Sequence, residues 1–160
     1  MTTRRVHASA KTNERPVPGS ELEVLRRHLS ERGLKMTTQR DRILEVFLRA
    51  SGHVTAEQLY EKMKQVDAGI GFTTVYRTLR VLCECGLAQE RNFGHGPARY
   101  EHAFSRRHHD HLVCVKCGRI IEFENDAIEA IQRQVAETHR FSLLDHRHEL
   151  YGHCESCRRT

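Results

Sequence analysis

Apolar residues recur at helical spacing through the first half of the chain and in short runs through the second. Leu22, Leu25 and Leu29 open the pattern. Ser20-Glu21-Leu22-Glu23 reads as a capping box in front of them, and Gly33 as the stop. Ile43, Leu44, Phe47 and Leu48 fall on one face of a second helix, with Thr37 as its cap and Gly52 as its terminator. Thr55 and Gln58 form a further capping box, opening a helix over 56–66 that turns Leu59, Tyr60 and Met63 inward. Gly69 and Gly71 break the chain. A fourth helix over about 73–85 buries Val75, Leu79 and Leu82 and meets Gly86 beyond its end. Residues 87–93 and 98–102 read as two strands joined by Gly94-His95-Gly96-Pro97. Helix, turn, helix and hairpin in this order predict a winged helix-turn-helix domain over 20–102, preceded by a disordered tail over 1–19.

Beyond residue 102 the pattern changes. Residues 111–115 and 119–123 read as strands around the knuckle turn Lys116-Cys117-Gly118. Asn125 or Asp126 caps a helix over about 127–139 with Ile128, Ile131 and Val135 on its apolar face. A third strand is expected over 141–151, with Leu143, Leu144 and Leu150 for burial. Three strands and one helix cannot cover both faces of a sheet. The free edge therefore predicts that residues 103–160 form a dimerisation domain. The expected fold class is α+β: an N-terminal winged helix-turn-helix domain and a C-terminal α/β dimerisation domain.

Charge sharpens this division. Residues 1–100 hold 17 Lys and Arg against 11 Asp and Glu, whereas residues 101–160 hold 9 against 10. The net +5 is thus an N-terminal property, which suits nucleic acid at that end. In the fourth helix the apolar stripe leaves Thr73, Thr74, Tyr76, Arg77 and Arg80 outside or at the margin. Arg forks onto guanine or clamps phosphate, and Tyr reaches phosphate or a thymine methyl. Lys35, just before the second helix, is placed to touch phosphate or a minor groove. No apolar run approaches the roughly 18 residues of a membrane span. No secretory segment opens the chain, so a reducing cytoplasm is expected.

That compartment changes how the six cysteines read. Cys114/Cys117 and Cys154/Cys157 are two Cys-x-x-Cys pairs, a tetrahedral all-sulfur set that suits a closed structural zinc site better than disulfides. Cys83 and Cys85 read as structural or incidental thiols. Between the pairs lies His108-His109-Asp110-His111. In extended chain, His109 and His111 face one way and His108 and Asp110 the other. Candidate partners are Glu101 at the end of the wing, Glu122 on the neighbouring strand and His53 before the third helix. Glu129 and His146 are candidates for the opposite face. Nitrogen and oxygen donors of this kind suit Fe(II), Mn(II) or Co(II), and zinc also occupies them.

These residues carry a resemblance. From about Gly33 to Cys157 the chain resembles the ferric uptake regulator family of bacterial metal-dependent repressors. The stretches that carry it are Gly33-Leu34-Lys35-Met36-Thr37-Thr38-Gln39-Arg40, His53-Val54-Thr55-Ala56-Glu57, Thr74-Val75-Tyr76-Arg77-Thr78-Leu79, the run from His108 to Gly118, and Gly152-His153-Cys154. The resemblance implies a winged helix hinged to a dimerisation domain, with Cys114, Cys117, Cys154 and Cys157 holding structural Zn(II). It implies a regulatory site of His53, Glu101, His109, His111 and Glu122, and an additional site of His108, Asp110, Glu129 and His146. Tyr76 and Arg77 match DNA-contacting positions.

Zinc-sensing relatives carry Cys where this chain has Glu101, and peroxide-sensing relatives carry Asp where it has Glu122. The resemblance therefore implies regulatory Fe(II), with Mn(II), Co(II) or Zn(II) able to substitute. The expected protein is no enzyme but an iron-dependent repressor of uptake genes. It binds palindromic double-stranded DNA as a homodimer or a pair of dimers. Zinc, manganese or peroxide sensing within the family are the alternatives, and a metal-dependent hydrolase is a remote one, since no nucleophile motif stands beside the candidate ligands.

Overall fold

The computed structural model describes residues 18–94, 96–104 and 108–159. Residues 1–17 of the tail expected over 1–19 and His95 of the expected turn lie outside them, whereas Pro18 and Gly19, also expected in the tail, begin the first helix. Helices α1 (Pro18–Glu31), α2 (Thr38–Arg49), α3 (Ala56–Val66) and α4 (Phe72–Glu84) are followed by strands β2 (Ala88–Arg91) and β3 (Arg99–His102). A two-residue strand β1 (Val54–Thr55), which the hydrophobic pattern does not reveal, precedes α3. It pairs with β3, so the wing is a three-stranded sheet of order β1-β3-β2.

Local chemistry sets most of the boundaries. Thr37 accepts from the Arg40 amide, and the Thr55–Gln58 capping box makes both of its reciprocal bonds. Helix α4 ends where Gly86 turns left-handed at φ 75°, letting the Leu87 amide reach back to the Leu82 carbonyl at 2.9 Å. Ser20 does not mark the helix start as expected, because α1 begins at Pro18 and Ser20 lies inside it. Proline is preset for the first helical turn and moves the start upstream. The apolar stripes of α1 to α4 converge on one core, in which Leu25, Ile43, Leu59, Met63, Val75, Leu79 and Leu82 are fully buried.

The second half forms β4 (Asp110–Cys114), β5 (Ile120–Phe123), α5 (Asp126–Thr138), β6 (Glu149–Gly152) and a short α6 (Glu155–Arg158). Asn125 caps α5, accepting from the Ala127 and Ile128 amides. The sheet order is β5-β4-β6, with β6 parallel to β4. The expected long third strand shrinks to its last residues, since regular pairing with β4 begins only at Glu149. Leu143 and Leu144 are accordingly exposed rather than buried, and Leu150 is exposed although it lies in β6 and pairs with Leu112. Ile131 and Val135 on α5 are also more than half exposed, so the single chain leaves an apolar face uncovered.

Leu79→Ala removes a side chain with no solvent exposure from the middle of α4. It is expected to cost about 2–5 kcal/mol in urea denaturation. Thr55→Ala is expected to cost about 1 kcal/mol by removing one side of the capping box. A Thr55→Ala midpoint equal to that of the parent would show that the box adds no stability.

Candidate metal centres

Among the described residues three clusters of ligand-type side chains assemble, and β4 contributes to each. Cys114 ends β4, and Cys117 follows in the knuckle turn, where Gly118 adopts φ 71°. Parallel pairing of β4 with β6 puts Cys114 beside Gly152, which delivers Cys154 and, one turn into α6, Cys157. The four sulfurs lie within 4.8 Å of one another. Cys117 and Cys154 Sγ are 3.7 Å apart. A tetrahedral zinc at about 2.3 Å from each sulfur spaces them by about 3.8 Å, so the set fits that ion. The Cys154 amide donates to Cys114 Sγ, and backbone donors from Cys154 and Cys117 pull the Cys114 thiol down to about 5. Cys157 is pushed up to about 12, first by its hydrogen bond with Cys117. Four sulfurs this close cannot all ionise without a cation. Cys83 and Cys85 stand apart, both pushed upward by burial, and join no such cluster.

The second cluster lies where the two sheets meet. His53 precedes β1, Glu101 sits on β3, and His109 and His111 belong to the approach to β4 and to β4 itself. One ligand atom of each lies within 4.8 Å of the others. Glu101 Oε2 lies 2.8 Å from His109 Nε2 and 3.3 Å from His53 Nε2. Donor atoms at about 2.1 Å from an ion in octahedral coordination stand about 3 Å apart, so these contacts fit a first-row divalent ion. Glu122 borders the cluster, its Oε1 lying 3.4 Å from His53 Nδ1 and 4.0 Å from His109 Nε2. The pairing of His111 with Glu122 across β4 and β5 places it there.

Burial raises the Glu101 carboxyl, but hydrogen bonds from His109, His53 and Arg91 outweigh it and hold the group well below the usual carboxylate range. Burial and then the His53 charge push the His111 imidazole down to about 4, so it is neutral near pH 7. Its Nε2 is buried and makes no hydrogen bond among the described residues. The Phe93 ring stands edge-on to His53 and His111, closing one wall. A cleft of about 470 Å³, lined by Gly52, His53, Arg99, Arg119 and Glu122 among others, opens the seam to solvent. Two arginines tie the sheets: Arg99 donates to the Gly118 carbonyl and Arg147 to the Asn92 carbonyl.

The third cluster occupies the other face of β4, as the alternation of side chains requires. His108, Asp110, Glu129 and His146 each bring a ligand atom within 4.8 Å of the rest. His146 Nε2 is 3.1 Å from Glu129 Oε1, and His108 Nδ1 is 3.6 Å from the same oxygen. Both Asp110 carboxylate oxygens and His146 Nε2 are buried without a hydrogen bond among the described residues. Buried carboxylate oxygens without a hydrogen bond are costly, and a divalent cation would suit this donor set.

On the basic half, Tyr76, Arg77, Thr73 and Lys35 are exposed and Thr74 is half-buried. Arg80 instead pairs with Glu90 of the wing at 3.6 Å. Sequence patterning missed Arg91 and Phe93 at the second cluster, and Phe72, which is exposed and stacks on Tyr76.

The model of the ferric uptake regulator family matches residues 31–151. The ferric uptake regulation protein of Yersinia pestis is 43% identical over 129 residues, covering 80% of this chain and 86% of that one. The Helicobacter pylori ferric uptake regulator, described as having three functional metal-binding sites, has a TM-score of 0.84 and 30% identity, over 91% of this chain and 97% of that one. A zinc-bound manganese uptake regulator has a TM-score of 0.65 and 40% identity, over 82% and 98% of the two chains.

In the protein stripped of metal outside the cysteine cluster, the His111 ring resonances are expected to titrate near 4, well below the unperturbed imidazole. A folded value below the unfolded one means that the unfolded chain binds the extra proton between about 4 and 6.5. His111 thus contributes stability above about 6.5 that is lost as pH falls towards 4, and His111→Asn should flatten that slope. A His111 titration near 6.5 would remove the dehydrated imidazole from the site.

Proposed function

Because the chain belongs to the ferric uptake regulator family, we propose that it is an iron-dependent DNA-binding repressor of iron-uptake genes. The observation that carries this reading is the convergence of His53 and Glu101, from the winged-helix half, on His109 and His111 from the other half. We take the halves to be domains over 20–102 and 103–160, with His53, Glu101, His109, His111 and Glu122 as the regulatory Fe(II) site between them. Mn(II), Co(II) or Zn(II) are substitutes at that site. Cys114, Cys117, Cys154 and Cys157 hold structural Zn(II), and His108, Asp110, Glu129 and His146 form the additional site.

A divalent ion in the seam supplies the positive charge that these donors share. The residues do the rest. His53 and Glu101 fix the winged helix against β4, which sets the distance between two recognition helices in a dimer. Only one such distance fits the half-sites of a palindrome, so ligand engagement across the seam shifts the equilibrium towards the binding-competent arrangement. A coupling of about 1–3 kcal/mol suffices for a switch. Lys35, Thr73, Thr74, Tyr76 and Arg77 face the DNA. The exposed apolar residues Ile131, Val135, Leu144 and Leu150 support a homodimer, and pairing of dimers is an extension of it. No helix among the described residues is long and apolar enough to cross a membrane, and we place the protein in the cytoplasm. We assign no catalytic residue. Manganese sensing is the second reading, favoured by the likeness to a manganese uptake regulator and by donors that distinguish Fe(II) from Mn(II) poorly.

Fluorescence anisotropy of operator DNA tests the reading. The zinc-loaded protein, titrated anaerobically with buffered Fe(II), Mn(II) or Zn(II), is expected to respond to Fe(II) first. Activation by Mn(II) alone would favour the second reading, and binding indifferent to metal would remove the switch. Glu101→Ala and His109→Ala are expected to keep the dimer and lose metal stimulation. Arg77→Ala should weaken operator binding by about 1–3 kcal/mol with metal uptake unchanged. Cys114→Ser is expected to lose the tightly held zinc and weaken the dimer, read by elemental analysis and sedimentation; full zinc content would refute the cysteine assignment.

A further inference from the structure

Arg91 touches the seam cluster and has no part in the regulatory ligand set. Arg91 on β2 pairs with Arg99 on β3, which places Glu101 two residues along and diagonal to it on the same face. Arg91 Nε donates to Glu101 Oε1 at 2.7 Å. The other oxygen, Oε2, is the one that faces His109 and His53. The two oxygens of one buried carboxylate therefore meet different chemistry. Neutral imidazole offers a lone pair to a metal ion, whereas guanidinium stays charged at any accessible pH and never offers one. Arg91 is itself mostly buried, at 18% side-chain exposure, so its hold on Oε1 is poorly screened by water.

Resting on the regulatory-site reading above, we propose that Arg91 is a positioning residue that reserves Glu101 Oε1. Glu101 then meets the regulatory ion through Oε2 alone, and the site's coordination number and affinity are set accordingly. Two effects act on affinity in opposite directions. The hydrogen bond fixes the carboxylate in a ligand-ready pose and so favours uptake. The guanidinium charge, one carboxylate away from the incoming ion, repels it and draws on the same negative charge. The His109 and His53 contacts already orient Oε2, so most of the orienting effect survives without Arg91 and the repulsion decides the sign. Arg91 thus holds affinity down and keeps binding reversible.

The test uses the full dimer, zinc-loaded at the cysteines, with Glu129→Gln silencing the neighbouring cluster and Co(II) as the probe. Co(II) X-ray absorption counts the oxygen neighbours, and chelator competition gives the affinity. Arg91→Met is expected to add one oxygen neighbour as Glu101 becomes a two-oxygen ligand, and to tighten binding by about tenfold as the repelling charge is lost. Arg91→Lys should retain the parental spectrum, a rescue that mere packing would not give. Arg91→Ala serves the same comparison should methionine impair folding, which zinc content and dimer mass report. An unchanged oxygen count without the arginine, whatever the affinity, overturns the proposal. Failure of the parental protein to take up any Co(II) in the seam would instead overturn the regulatory-site reading, and this proposal with it.

Discussion

A buried carboxylate organises the molecule. Glu101 is 1% exposed, on the strand of the wing that faces the second sheet. An isolated carboxylate so deeply placed would be unaffordable, and the protein surrounds it with nitrogen donors from three directions. Arg91 comes from the neighbouring strand, His53 from the approach to β1, and His109 from the chain entering β4. Of these three, the last crosses from one half to the other, so docking of the halves helps to satisfy the charge of Glu101. Two of these partners, His53 and His109, are also donors that a divalent ion would meet. The seam therefore joins charge neutralisation to relative placement of the two sheets, which is the physical content of the regulatory reading.

How much of this was legible follows the range of the interactions. Thr55 with Gln58, Asn125 and Gly86 act within a few residues of themselves, and the chain's pattern reads them correctly. The alternation that separates His109 and His111 from His108 and Asp110 is a property of any strand, and it holds in β4. Ser20 misled because Pro18 initiates the helix first. Residues 141–148 misled because their apolar residues suggest burial, yet most find no strand partner within one chain. Arg91 was invisible for a different reason. It meets Glu101 only through the diagonal of a hairpin whose register depends on the turn between β2 and β3. Phe93 likewise acquires its place against His53 and His111 only after the two sheets meet.

The exposed face of α4 shows a similar limit. A helix wheel leaves Arg77 and Arg80 alike outside the apolar stripe of α4. The wing distinguishes them, since Glu90 on β2 engages Arg80, although both arginines stay exposed. Phe72 and Tyr76 stack at the start of the same helix, with Tyr60 of α3 edge-on to Phe72. The aromatic ladder buttresses the presentation of Tyr76 from the helix-turn-helix scaffold rather than from the recognition helix alone.

The placement of β4 has a further consequence. Its five residues carry Asp110, His111 and Cys114, one from each cluster. With a rise of about 3.3 Å per residue, Cys114 is only about 10 Å along the strand from His111. The parallel partner β6 runs beside this whole stretch, pairing Glu149 with His111 at one end and Gly152 with Cys114 at the other. Whatever secures the cysteine end also clamps the backbone on which the histidine is mounted. The coupling runs both ways: a displacement of the backbone at either end of β4 is carried to the other along one ladder, so neither cluster changes shape in isolation.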